Sequence, residues 1–225
     1  MIDLKSKQKL INLLYETGAI TFPKSKNLDS LPYEIKLQYL TSQPKVLTFA
    51  AKLLWSEFKN ETFDLIAGPH TDIPLATTMS LEYNWPMIFI RKEKKQYGMG
   101  KLIEGNYKTD QKVVVIDDEV SDPANTLQVL GRLEGSGLNI VGVYVLIDRG
   151  QGNLELIRNK SYKCEALINL NDIFIHLFET GKISPDQLNQ AKDYFKSKKI
   201  PCNVGSLSVQ YRYICILQIL RLLLK

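Results

Sequence analysis

Two segments in the first quarter of the chain carry apolar residues at helical spacing. The first covers residues 3–16 and is followed by Gly18, a residue type that commonly ends a helix. The second covers residues 44–58 and begins with Pro44, which is favoured in the first turn of a helix. Residues 19–43 lie between them and mix short alternating runs with two prolines. We therefore expect two helices separated by short strands and loops.

Short apolar runs alternate with helical patterns from residue 63 onward. We predict strands at Phe63–Gly68, Met87–Ile90, Val113–Ile116 and Ile140–Ile147, helices from near Ile73 and from about 124 to 136, and a polar helix begun by Ser184-Pro185-Asp186. Continuous β-branched runs are typical of strands covered on both faces, and the alternation favours right-handed βαβ units. The sequence therefore predicts an α/β fold in which helices flank a doubly wound parallel sheet.

Composition and charge narrow the class of protein. The chain has 225 residues, of which 44% are hydrophobic, so it is long enough for one well-buried domain with a small subdomain. A net charge of +5 suits a small anionic substrate. The same excess is too small and too dispersed to indicate nucleic acid as a partner. We expect small-molecule substrates and no nucleic acid.

The cysteines and the chain ends bear on localisation. Cys164, Cys202 and Cys215 form no CxxC pair, so neither a zinc site nor a disulfide framework is indicated, and a reducing cytoplasm is the simplest location. The N-terminus lacks a signal-peptide core, and no transmembrane segment is expected. The apolar tail 203–225 is interrupted by Arg221 and is short for a bilayer. It favours a helix buried on the domain or in a dimer interface, with membrane-surface attachment as the alternative.

The most informative stretch begins with the apolar run Val113–Ile116. Asp117 and Asp118 follow it directly, and turn residues then open a helical pattern. Ligands of parallel sheets bind beyond the carboxyl ends of the strands, where two carboxylates can accept hydrogen bonds from sugar hydroxyls or hold magnesium. The following helix offers backbone N–H groups to a phosphate. The alternative interpretation is an acidic strand end followed by a capped helix.

Residues 112–126 resemble the phosphoribosyl-pyrophosphate motif of the type I phosphoribosyltransferases. Two flanking segments, 91–105 and Asp148–Gly152, are similar to segments of the orotate phosphoribosyltransferases in the same order and spacing. Three segments in order are more specific than one motif, and the resemblance covers roughly residues 10–180. It implies a type I phosphoribosyltransferase-like parallel sheet with a small N-terminal hood.

The resemblance also implies an activity and a division of the chain. The activity is a glycosyltransferase reaction of pyrimidine (UMP) biosynthesis that moves the phosphoribosyl group of phosphoribosyl pyrophosphate to orotate, giving orotidine 5′-monophosphate and pyrophosphate. Magnesium (Mg2+) is the implied cofactor, and a cytoplasmic homodimer the implied assembly. The implied parts are an N-terminal helix and hood over the base site at 1–43, a phosphoribosyltransferase core at 44–180 and a C-terminal helical extension at 181–225.

The resemblance assigns roles to individual residues. Lys95 and Asp118 match the catalytic positions, and Asp117 with Asp118 would hold magnesium, directly or through water. Arg149 would bind the base carboxylate through its planar guanidinium. The full set of implied substrate-binding residues is Lys26, Arg91, Lys92, Tyr97, Asp117, Asp118, Ser121, Asn125 and Arg149. The alternatives are a surface lysine for Lys26, a solvated loop for the lysine run, and an Asp148–Arg149 pair that orders a turn.

Several residues depart from the family pattern. Asp122 and Pro123 stand where the family has small phosphate-binding residues, and together they form a strong helix N-cap signature. Asp72 places another carboxylate in the expected pyrophosphate loop, and Glu119 adds a third beside Asp117 and Asp118. The alternative function is therefore a non-catalytic or altered-substrate protein of the same fold. His70 receives no catalytic role, because no nucleophile pattern accompanies it.

Overall fold

The computed structural model describes residues 3–23, 31–69, 73–91 and 102–197. Its helices are α1 Leu4–Glu16, α2 Pro44–Phe58, α3 Ile73–Tyr83, α4 Pro123–Glu134, α5 Asn153–Arg158, α6 Leu170–Glu179 and α7 Pro185–Ser197, with a 3-10 helix at Leu37–Ser42. Its strands are β1 Ile20–Thr21, β2 Glu34–Ile35, β3 Leu65–Pro69, β4 Met87–Ile90, β5 Ile103–Glu104, β6 Lys112–Glu119, β7 Asn139–Asp148 and β8 Cys164–Asn169.

Strands β3 to β8 form one sheet in the order β5-β4-β3-β6-β7-β8. All neighbours pair in parallel except β4 and β5, which are antiparallel. The prediction of a parallel sheet flanked by helices is thereby confirmed, with β5 as an added antiparallel edge. From β3 the chain continues to β4 and β5 on one side of the sheet, and from β6 it continues to β7 and β8 on the other side. The crevice between their carboxyl ends is the position where such sheets bind ligands.

The central strand β6 shows why the sequence forms this sheet. Residues 113–117 of β6 are all buried. Val114 and Ile116 belong to a core built with α1, α2, α3 and α6, whereas Val113 and Val115 belong to a second core built with α4 and α5. A continuous apolar run is needed because side chains alternate between two covered faces.

Most predicted boundaries agree with the structure. The predicted helix at 44–58 is α2, with Pro44 in its first turn, and Gly18 follows α1 with a φ of 76°. Helix α7 begins as expected, because Ser184 Oγ accepts a hydrogen bond from Gln187 N at 3.2 Å and Gln187 Oε1 accepts one from Ser184 N at 2.8 Å. The elements β8, α5 and α6 were not predicted, since the pattern after residue 150 is less regular.

The segment before α2 forms a small antiparallel pair, in which Ile20 of β1 lies opposite Ile35 of β2. Tyr33 precedes β2, is 2% exposed, and packs edge-on against Phe174 of α6 with ring centroids 4.8 Å apart. The ring of Tyr194, from α7, lies 6.2 Å from it. N-terminal and C-terminal elements therefore pack together beside the carboxyl edge of the sheet.

None of the helices in the described part of the chain is long and apolar enough to cross a membrane. The tail 203–225 lies outside the described residues, so the interpretations of that segment stay predictions.

Candidate active site

Asp117 and Asp118 lie at the carboxyl end of β6, at the crevice between β3 and β6. Asp117 is 6% exposed, and its Oδ1 accepts a hydrogen bond from the backbone N–H of Asp118 at 2.9 Å. Asp118 is only half-buried. Consecutive residues of a strand point to opposite faces of the sheet, so the carboxylates of Asp117 and Asp118 lie on opposite faces and would meet a ligand from different sides.

The side chain of Asp118 lines a cavity of about 280 Å³. The other lining residues are Gln38, Thr41 and the apolar Leu37, Leu40, Leu47, Pro74, Leu75 and Leu146. They come from the 3-10 helix, from α2, from the first turn of α3 and from β7. The cavity is thus a mostly apolar space with a carboxylate in its wall, at the topological position where a small ligand is expected.

In the turn after β6, residues 120–126, three backbone donors at the start of α4 are satisfied within the turn. Asp122 is the N-cap of α4, and its Oδ1 accepts a hydrogen bond from Ala124 N at 2.9 Å. The backbone N–H groups of Asn125 and Thr126 donate to the carbonyl of Asp122 at 3.2 and 3.3 Å. Pro123 has no N–H to offer. The expectation that this helix caps itself is confirmed.

The two predicted phosphate ligands in this turn, Ser121 and Asn125, are both exposed. Asn153, from the start of α5, donates through Nδ2 to the carbonyls of Val120 and Ser121 at 2.8 and 3.3 Å. The turn is therefore held by its neighbour as well as by its own cap. The side chains of Ser121 and Asn125 stay accessible to a ligand.

Arg149 follows β7 and forms a two-point ion pair with Glu119, the last residue of β6. Its Nε and one Nη lie 2.5 Å from Oε2 and Oε1 of Glu119. The alternative is that Asp148 and Arg149 order this turn as a pair. Asp148 does order it, by accepting hydrogen bonds from Gly150 N at 2.8 Å and from Asn169 Nδ2 at 3.3 Å, whereas the partner of Arg149 is Glu119. Burial raises the pKa of Asp148, and the Gly150 N–H opposes that rise.

Tyr33 lies within electrostatic reach of this ion pair. Burial raises the pKa of Tyr33 to about 12, and the charges of Arg149 and Glu119 act on it in opposite directions. Tyr33, which precedes β2, is therefore close enough to the ion pair for both charges to act on it. This arrangement brings together the N-terminal segment and the turn that the sequence singled out for base binding.

Arg91, predicted to bind phosphate, has a carboxylate partner. Its Nε lies 2.7 Å from Oε1 of Glu104, and its backbone N–H donates to Leu102 O at 2.8 Å. The residues that flank 92–101 are thus hydrogen-bonded to each other. The remaining predicted site residues, Lys26, Lys92, Lys95 and Tyr97, lie outside the described residues, as do His70 and Asp72 of the expected pyrophosphate loop.

Comparison with known proteins identifies the family. No family model matches the chain. The orotate phosphoribosyltransferase of Pyrococcus horikoshii is 34% identical over 194 residues, which cover 82% of this chain and 100% of the relative. The chain belongs to the orotate phosphoribosyltransferase family. This confirms the resemblance drawn from three short motifs.

Solved structures agree with the family assignment. The Leishmania donovani UMP synthase matches with a TM-score of 0.75 and 27% identity over 85% of this chain and 42% of that one. The Francisella tularensis orotate phosphoribosyltransferase matches with a TM-score of 0.67 at 21% identity, over 84% of this chain and 98% of that one, and supports the fold. The fold of the chain is that of the orotate phosphoribosyltransferases.

Two members of the site were missed as partners by sequence reasoning. In the sequence, Glu119 is only a third carboxylate beside Asp117 and Asp118, and no pattern marks Asn153. In the parallel register of β6 and β7, Glu119 lies beside Ile147. Ile147 precedes Arg149 by two residues. Parallel register alone would have identified Glu119 as a candidate partner for Arg149, since strand ends that pair also bring the following turns together.

Proposed function

We propose that this chain transfers the phosphoribosyl group of phosphoribosyl pyrophosphate to orotate, in the biosynthesis of UMP. The proposal rests on its family membership, carried by the 34% identity with the Pyrococcus horikoshii orotate phosphoribosyltransferase along that relative's full length. The placement of Asp118 and Arg149 at neighbouring strand ends supports it, because the sugar and the base of one substrate pair need adjacent sites.

In the proposed reaction, the bond from the ribose C1 to the pyrophosphate oxygen breaks, a bond from C1 to N1 of orotate forms, and the proton of N1 is released to solvent. The electron pair of the broken bond leaves with pyrophosphate, so the sugar passes through a state with oxocarbenium character. Asp117 and Asp118 would accept hydrogen bonds from the ribose hydroxyls, and Arg149 would bind the orotate carboxylate. Ser121 and Asn125 would contact the 5′-phosphate with their exposed side chains.

Magnesium fits this site as a substrate-borne ion. Within the described residues, no group of three or more His, Cys, Asp or Glu side chains is placed to hold a metal. Mg2+ commonly keeps several waters and binds through one or two carboxylates together with substrate phosphates, a role that Asp118 and Asp117 suit directly or through water. When bound, it would neutralise charge on the leaving pyrophosphate.

We also propose the remaining family roles for Arg91 and for four residues outside the described ranges. Lys95 would be the catalytic cation that neutralises charge developing on pyrophosphate. Lys92 and Arg91 would bind phosphate, and Arg91 would leave its ion pair with Glu104 to do so. Lys26 and Tyr97 would complete the substrate site. These assignments rest on the matching positions in the family.

The proposal has three further parts. The chain is divided into a hood segment at 1–43, a core at 44–180 and an extension at 181–225; it forms a homodimer; and it is located in the cytoplasm. The packing of Tyr33 on Phe174 supports a hood over the base site. The hydrogen bond from Tyr15 Oη to Lys182 O, 2.9 Å, supports a C-terminal extension that braces the N-terminal helix. Sedimentation analysis of the full chain would test the dimer.

A spectrophotometric assay with orotate, phosphoribosyl pyrophosphate and Mg2+ tests the function. We expect orotate consumption by the wild-type protein and a loss of at least about a hundredfold in Lys95→Ala, because one cation at a developing charge contributes on this scale. Folded protein that binds phosphoribosyl pyrophosphate but consumes neither orotate nor uracil would support the second candidate, a non-catalytic nucleotide-binding protein. The self-capped turn at Asp122 is the observation that favours that candidate.

A further inference from the structure

The ion pair between Glu119 and Arg149 uses one particular edge of the guanidinium. Glu119 accepts from Nε and from one Nη of Arg149, both at 2.5 Å. A guanidinium carries five N–H groups in one plane, and they form two edges that can each bind a carboxylate. The hydrogen bonds recorded for Arg149 among the described residues leave the second edge, formed by the two Nη nitrogens, for another carboxylate.

This pair is held in place by its burial. The side chains of Arg149 and Glu119 are only 22% and 14% exposed. Displacing Glu119 would leave a largely buried carboxylate without a partner, which is strongly unfavourable. An incoming carboxylate would therefore meet the Nη edge while Glu119 keeps the Nε edge.

The pair also fixes where Arg149 points. Arg149 lies in a turn beyond the last residue of β7, and Gly150 follows it with a φ of 69°. An arginine in such a turn has many accessible rotamers, and ordering them on binding would reduce affinity. Glu119 removes this freedom beforehand because it ends the neighbouring strand β6. The guanidinium is thus oriented before any ligand arrives, within electrostatic reach of Tyr33.

We propose that Glu119 is the positioning residue for base recognition. It holds Arg149 by the Nε edge so that the two Nη nitrogens bind the carboxylate of orotate. This inference rests on the proposed function and adds a selectivity-determining residue to it. Glu119 itself touches neither the base nor the sugar; it acts through Arg149.

If Glu119 competed with the ligand instead of positioning Arg149, its removal would change the affinity in the opposite direction. If Glu119 competed with orotate for the guanidinium, removing it would tighten the binding of a base that carries a carboxylate. If it positions the guanidinium, removing it weakens that binding. The sign of the change in affinity therefore distinguishes the two roles.

Calorimetric titration with two matched nucleotides tests the inference. Orotidine 5′-monophosphate carries the base carboxylate and uridine 5′-monophosphate lacks it, so the ratio of their affinities isolates the carboxylate contact. We expect the wild-type protein to prefer orotidine 5′-monophosphate. Glu119→Ala should reduce that preference at least tenfold without changing the affinity for uridine 5′-monophosphate. Glu119→Gln keeps one acceptor oxygen for Arg149 and should show a smaller reduction of about threefold.

Controls separate the inference from folding and from the proposed function. Glu165→Gln removes a carboxylate from an exposed ion pair with Arg158, 3.4 Å, and should leave the preference unchanged. Thermal unfolding of each variant identifies misfolded protein, and Glu119→Gln carries the test if Glu119→Ala does not fold. An unchanged or increased preference in the Glu119 variants would overturn the inference alone. A wild-type protein without any preference would overturn the proposed function, and the inference with it.

Discussion

The turns after β6 and β7 lie side by side at the carboxyl edge of the sheet, but they use their polar groups differently. In the β6 turn, the carboxylate of Asp122 and the carbonyl of the same residue accept the first backbone N–H groups of α4. In the β7 turn, the charged group of Arg149 is held by Glu119 from the neighbouring strand, along one edge only. The first turn satisfies the backbone N–H groups of residues 124–126 without a ligand, whereas the second orients Arg149 and leaves it donors for a ligand.

The two turns serve different substrates in the proposed reaction: the β6 turn would bind phosphoribosyl pyrophosphate and the β7 turn would bind orotate. The resemblance places the 5′-phosphate of phosphoribosyl pyrophosphate at the β6 turn, where a capping carboxylate would repel an anion and consumes a donor. The β7 turn is where the base carboxylate would bind, and its cation is pre-oriented. We therefore expect the two substrates to respond to different mutations, with base recognition intact and phosphate binding weakened.

The largest expected effect is in the β7 turn. Arg149→Lys replaces two parallel hydrogen bonds by a point charge, so the KM for orotate should rise by roughly thirtyfold, equivalent to about 2 kcal/mol. The KM for phosphoribosyl pyrophosphate should change by less than about twofold. Steady-state kinetics on both substrates measure this. Arg158→Lys, in an exposed ion pair, serves as the control, and an equal rise for both substrates would contradict the assignment.

The next effect is in the β6 turn and has the opposite sign. Asp122→Ser keeps a capping oxygen but removes the negative charge, so phosphoribosyl pyrophosphate should bind about tenfold more tightly, equivalent to ~1.4 kcal/mol. Calorimetric titration measures the affinity.

Asp3→Ser is a matched control for Asp122→Ser. Asp3 caps α1 in the same way, by accepting a hydrogen bond from Ser6 N at 2.9 Å. Its replacement should leave the affinity unchanged. If both variants bind like the wild-type protein, the Asp122 carboxylate does not oppose the ligand.

A smaller gain is expected from restoring a backbone donor. Pro123→Ala returns one N–H to the first turn of α4, and phosphoribosyl pyrophosphate should bind about threefold more tightly. Alanine is chosen because it supports the helix better than glycine. The combination with Asp122→Ser should show whether donor and charge act independently. A loss of affinity in Pro123→Ala would show that the rigid proline orders the turn for binding.

The smallest effect concerns the carboxylate of the β7 turn. The pKa of Asp148 is raised by burial, so the folded state holds this proton more tightly than the unfolded state does. Lowering the pH from 7 toward 4 should therefore stabilise the wild-type protein relative to Asp148→Asn. Urea unfolding of both proteins at pH 7 and pH 4.5 measures the difference. If the stability of the wild-type protein relative to Asp148→Asn instead decreased as the pH was lowered, ion pairing rather than burial would control the pKa of Asp148.

The local features of this protein could be predicted from its sequence. Helix α2 begins at Pro44 as predicted, and Asp122 caps α4 as its N-cap signature indicated. The apolar run of β6 identified a strand covered on both faces. These features depend on residues a few positions apart, whose spacing is set by the chain and is therefore visible in the sequence.

The contacts between distant residues, in contrast, become visible only in the folded protein. Glu119 and Arg149 are 30 residues apart, and they meet because β6 and β7 pair in parallel. Tyr33 lies within electrostatic reach of that pair, and its ring packs against Phe174 of α6, an element that the sequence pattern did not predict. Strand order and register result from the summed burial of many side chains, so no single local pattern specifies which strand ends become neighbours.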